Sequence, residues 1–186
     1  SNIYGPNGEI LRYVTNLNAG WVALWNSTKA VKATDALGTE GSWGQRLPGK
    51  TYDASQGFEW NKTIPTGLPG STRVAFYDDR LIGSYNTQKQ VTIWGINLKE
   101  DQQCNLLFNS TWMAPAEWTE GNLEFAGRSG GWVAFSQEDK VAVLSIKETR
   151  AHYGFSLETG KYMWNVAPFP FDESTSIYPS SDLTTP

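Results

Sequence analysis

The sequence predicts an all-β protein, a propeller-type array of about four four-stranded antiparallel blades. Three observations point there. Aromatic residues make up 13% of the 186, charged residues only 18%, and 18 glycines lie among them, a balance typical of short strands and turns rather than long amphipathic helices. Strand-like runs recur with turn signals between them, four in about forty residues, the length one propeller blade uses. An aromatic residue followed by Asn closes four of these runs: Trp25-Asn26, Trp60-Asn61, Phe108-Asn109 and Trp164-Asn165.

Residues 1–72 are the loosest part and read as one or more degenerate blades with a long loop. "EILRYVT" and "GWVALWN" form a hairpin through "NLNA", the polar stretch "ATDALGTEGSWGQRLPGKTYDA" is a loop, and "GFEWNKT" is a further strand. Residues 73–112 read as a complete blade. "RVAFYD" turns at Asp78-Asp79 into "RLIGSY", "NTQK" turns into "QVTIWGIN", and the loop "LKEDQQC" leads to "NLLFNSTW". Residues 123–166 read as another: "LEFAG", "GWVAFSQ", "VAVLSIKE", "AHYGFSLE" and "KYMWNV". Several consecutive apolar residues in "VAVLSI" and "QVTIWGI" suit strands buried on both faces. Residues 167–186 hold four of the nine prolines and read as a linker or the start of another blade. No helix is expected anywhere.

Within "YGFSLETGKYMWNVA", Gly154, Ser156, Thr159, Gly160 and Trp164 follow a fixed spacing. It resembles the tryptophan-docking repeat of quinoprotein (PQQ-like) β-propellers, with Ser156 where Asp is usual. "YGPNGEILRY", "GWVALWNSTKA" and "WNKTIPTGLPG" add a broader similarity to PQQ-like repeat regions of large secreted fungal proteins. The resemblance implies that Trp164 lies between neighbouring blades and stacks on backbone near a repeat glycine, while Thr159-Gly160 closes the outer hairpin. It also implies a ring of about seven or eight blades, completed by the remainder of a longer polypeptide or by a second copy. The other repeat copies are degenerate.

Net charge is −4 with no basic segment, which argues against nucleic acid as a partner. No apolar run approaches the ~20 residues of a membrane-spanning helix, and the first residues, "SNIYGPNGEI", show no signal peptide. Cys104 is the only cysteine, so an intrachain disulfide and a Cys-rich zinc site are excluded. His152 is the only histidine and reads as a strand residue. The acidic pairs Asp78-Asp79, Glu100-Asp101 and Glu138-Asp139 fall at turns, where carboxylates bond local backbone. Neither a metal site nor a catalytic residue is expected. The quinone chemistry of the resembled enzymes is not expected to carry over, because a fold does not bring its chemistry, and no cofactor is expected.

Three sequons, at Asn26, Asn61 and Asn109, each directly follow an aromatic strand residue, which points to a secreted, N-glycosylated protein. Trp43 and Trp118, in loop-like surroundings, are the candidates for stacking on a sugar. Trp21, Trp94, Trp112, Trp132 and Trp164 are expected in the core. The reading is a non-enzymatic segment of a secreted or cell-surface propeller protein, a scaffold or recognition surface for a glycan or protein ligand. The alternatives are a lectin-like module and a PQQ-dependent oxidoreductase.

Overall fold

The computed structural model describes residues 3–34, 49, 51–119, 125, 130–147 and 149–166. They are all-β, with three four-stranded sheets. The first blade comprises β1 (Ile3–Tyr4), β2 (Ile10–Asn16), β3 (Trp21–Asn26) and β4 (Phe58–Thr63). The second comprises β5 (Ser71–Phe76), β6 (Arg80–Asn86), β7 (Gln90–Asn97) and β8 (Leu106–Met113). The third comprises β9 (Trp132–Ser136), β10 (Val141–Ile146), β11 (Ala151–Ser156) and β12 (Tyr162–Val166). In each, the strands pair antiparallel in chain order. Within "LEFAG", Phe125 makes a single bridge to Ile146.

The turns follow local chemistry. Asp78 closes the β5–β6 turn in the left-handed region, with φ 49°, a conformation Asp tolerates better than most side chains. Thr87 closes the β6–β7 turn: its hydroxyl accepts the amides of Lys89 and Gln90 at 3.2 and 3.1 Å.

The expectation that no helix forms fails. Residues Ser27–Thr34 form an α-helix, α1, between β3 and β4. Asn26 caps it, its Oδ1 accepting the Thr28 amide at 2.9 Å, a standard way to satisfy a first-turn donor. Its Ala30 and Val31 are buried, and the Lys29 ammonium donates to the Phe58 carbonyl at 2.7 Å. The segment is short, rich in Ser and Thr and without an acidic first turn, so its own pattern is weak. Tertiary burial makes it a helix.

Two cores hold the blades together. One lies between the first and second blades, around Val22, Ile64, Leu81, Trp94, Ile96, Leu98 and Cys104. The other lies between the second and third, around Ile82, Val91, Ile93, Leu144, Tyr153 and Phe155. β7 serves both, because alternate side chains enter opposite faces: Val91 and Ile93 go to one seam, Trp94 and Ile96 to the other. Each fully buried aliphatic contributes about 1.5–3 kcal/mol, so these faces dominate the cohesion of the array.

Candidate functional site

The outer strands share one local device. On β4, β8 and β12 the pairing register slips by one residue, opposite Leu24/Trp25, Gly95/Ile96 and Gly154/Phe155. Such a bulge re-aims the side chains that follow it. Just past it stand Trp60, Phe108 and Trp164, paired with Leu24, Gly95 and Gly154. These three aromatic-Asn pairs are structurally equivalent. Trp25-Asn26 is not, because it lies on a third strand, β3, and Trp25 covers Gly57 and donates from Nε1 to the Ala54 carbonyl at 2.7 Å.

Between the second and third blades the device is complete. One edge of the Phe108 ring lies over Gly95, where a Cβ would be 2.5 Å from Cε1. The opposite edge lies over Gly160 of the next blade, where a Cβ would be 2.6 Å from Cδ2. Gly160 has φ 69°, so both its conformation and its bareness are used. The turn that presents it is built by Ser156, whose hydroxyl accepts the amides of Glu158 and Thr159 at 3.1 and 3.2 Å. Its carbonyl accepts the Gly160 amide at 2.9 Å. Ser156 thus performs the short-range bonding that Asp or Ser commonly supplies at turns. Trp132 donates to the buried Ser84 hydroxyl across this seam at 2.7 Å, and Trp112 stacks on Tyr162 with centroids 5.0 Å apart.

Between the first and second blades it is incomplete. Trp60 faces Leu24 rather than a glycine and packs on Tyr13, centroids 5.9 Å apart. Its buried indole N–H has no partner among the described residues. Lys62 lies over the Trp60 ring, 4.8 Å from the centroid, and donates to the carbonyls of Glu100 and Gln102 at 2.6 and 2.9 Å. Burial pushes the Tyr13 hydroxyl up to about 12, against the opposing pull of the Asp78 amide it accepts. Burial also raises the Cys104 thiol, with Lys62 pulling the other way, so Cys104 is a packed thiol rather than a poised nucleophile.

Trp164 covers Gly154 of its own blade yet remains 36% exposed, and Val166 on the same face is 44% exposed. The expectation that Trp164 is a core residue is met on one face only: it covers Gly154, and its side chain stays partly exposed. Trp94 and Trp132 are buried and Trp21 and Trp112 half-buried. Trp118 is fully buried, donating to the Tyr153 hydroxyl at 3.1 Å, so it cannot stack on a sugar; its "loop" is a 3-10 turn folded into the aromatic core. Trp43 lies outside the described residues.

The sequon residues differ. Asn61 and Asn109 are exposed on β4 and β8, in equivalent positions. Asn26 is half-buried, caps α1, and donates from Nδ2 to Glu59 at 2.9 Å. Of the turn carboxylates, Asp79 meets Arg80 at 3.1 Å and Lys140 at 3.6 Å, and Asp78 accepts the Glu100 amide at 2.8 Å. Among the described residues no group of three His, Cys, Asp or Glu side chains could hold a metal. No helix of the described residues is long and apolar enough to cross a membrane.

The glycines of the seams are what sequence reasoning missed. Gly83 lies under the Trp94 ring, whose Nε1 donates to the Pro69 carbonyl at 2.8 Å, and Gly95 lies under Phe108. A lone glycine inside "RLIGSY" or "QVTIWGIN" is itself a signal of close backbone approach. Compared with known proteins, the chain matches no family model and no curated protein.

Proposed function

We propose that this chain is a non-enzymatic segment of a secreted, N-glycosylated propeller protein, serving as a rigid scaffold or recognition surface. The observation that carries the reading is the placement of Asn61 and Asn109. Both are exposed, each on the outermost strand of its blade, and each opens an Asn-x-Thr triplet. An exposed side chain on an outermost strand is open to a glycan, which suits surface modification in a secretory compartment. The aromatic-glycine interlock at Phe108 supports the scaffold role, because it fixes the second blade against the third through close-packed contacts.

The test is the intact mass of the protein secreted from a eukaryotic host, before and after enzymatic removal of N-glycans. Glycan-sized losses are expected, with Asn61→Gln and Asn109→Gln each removing one step. An unmodified mass would overturn the reading.

A further inference from the structure

Arg73 lies on β5, an edge strand of the second sheet, and is half-buried. Its Nε donates to the Ser84 hydroxyl at 2.8 Å, and Trp132 of the third blade donates to the same hydroxyl at 2.7 Å. The guanidinium then reaches Gly130, just ahead of β9, where a Cβ would sit 3.1 Å from Nη2. Asn86 fixes that glycine by donating to its carbonyl at 2.7 Å, and Gly130 is left-handed, with φ 65°. The head group is therefore held from its Nε side, where edge strands of two blades approach each other.

The charged fork of Arg73 is unspent. Among the described residues no carboxylate meets it, and its one further hydrogen bond is long, from Nη2 to the Ser84 carbonyl at 3.5 Å. Arg80, on the next strand, shows the usual solution: it meets Asp79 at 3.1 Å and donates to the Leu157 carbonyl at 2.6 Å. Burial pushes the Arg73 guanidinium down, and no neighbouring carboxylate pulls it back. A partly desolvated cation without a counter-ion is unfavourable. A neutral donor of similar length would bond Ser84 as well, so tying the blades together does not account for the charge. We infer that Arg73 is a recognition site for a carboxylate, to which the planar Nη1–Nη2 end donates as a bidentate pair. A single cation on a chain of net charge −4 favours a singly charged group over a phosphate or a polyanion. The inference deepens the recognition-surface reading and rests on it: the ligand is an acid, supplied by an acidic residue of a peptide or by a small organic acid.

The experiment titrates the full natural polypeptide, by calorimetry at constant ionic strength, with N-acetylglutamate and with a blocked pentapeptide carrying one central glutamate. The same pentapeptide with glutamine in that place is the control. Saturable binding of a glutamate probe is expected, with the glutamine peptide about 10- to 100-fold weaker, the range a charge-assisted hydrogen bond spans. Tighter binding of the peptide than of N-acetylglutamate assigns the carboxylate to a peptide; equal binding assigns it to a small acid. Arg73→Gln should abolish the difference between the glutamate and glutamine peptides. Arg73→Lys keeps the charge and the aliphatic stem but not the fork, so it decides the matter should the Gln variant fail to fold; a loss of about ten-fold is expected of it. No binding of either glutamate probe overturns the inference, as does equal binding of the two peptides or an Arg73→Lys variant that binds like the parent. Glycan analysis is independent of this readout, so a glycosylated protein that ignores carboxylates would lose this site and keep the secretory reading.

Discussion

The two seams of this protein solve one packing problem with different parts. At the second seam Phe108 is flanked by backbone on both sides, Gly95 and Gly160, and the ring has no polar atom to satisfy. At the first seam Trp60 meets a leucine instead, and its buried N–H has no partner among the described residues, a defect that costs about 1–3 kcal/mol. Lys62 and Tyr13 partly compensate by filling the space and tying the first blade to the β7–β8 loop and the β5–β6 turn. The difference teaches that the interlock needs a bare glycine opposite the ring as well as the ring itself. A larger ring without a bare backbone to receive it fills volume but loses its hydrogen bond.

The largest effect should come from the complete seam. Phe108→Ala is expected to cost about 3 kcal/mol by leaving a cavity between blades, and Gly160→Ala about 2 kcal/mol from its left-handed conformation and the overlap with the ring. Urea unfolding of the two single variants and the double variant should show a smaller Gly160→Ala penalty once the ring is gone. Strict additivity would mean that the two residues do not interlock.

A second test addresses the incomplete seam through pH. Tyr13 ionises near 12 in the folded chain against 10.0 ordinarily. Below pH 10 both states keep the proton; above it the unfolded chain loses its proton first, so stability falls as pH rises from 10 towards 12. Tyr13→Phe should flatten that part of the urea-midpoint profile. An unchanged slope would remove Tyr13 from the seam's energetics.

The smallest effect should be Trp60→Phe. It removes the orphaned N–H along with some packed area, and the change in stability should stay within about 1 kcal/mol. Trp94→Phe is the contrast, because there the indole N–H bonds the Pro69 carbonyl at 2.8 Å and its loss should cost more. Equal penalties would show that the missing partner at Trp60 has no energetic weight.

Much of the array was legible in the chain. β7 spans "QVTIWGIN" without an error at either end, because β-branched residues bounded by turn signals leave few alternatives. The Thr159-Gly160 turn was equally plain. α1 was illegible because its eight residues are held by Asn26, Ser27 and burial against β2 rather than by their own periodicity. Trp118 was misplaced for a related reason: a polar, turn-like neighbourhood says nothing about the aromatic cluster of Trp112, Phe125 and Tyr153 that surrounds it.

Sequence by itself determined the strands, the turns and the four-strand rhythm, since these rest on local propensity and alternation over a few residues. Tertiary structure decided which aromatic-Asn pairs are equivalent, which tryptophans are buried and which glycines serve as seats. Those properties depend on bulges that slip the register by one residue and on approaches between blades about fifty residues apart. No local pattern encodes the distance between two backbones, so only the packed fold could place Gly160 against Phe108 and leave Trp164 open.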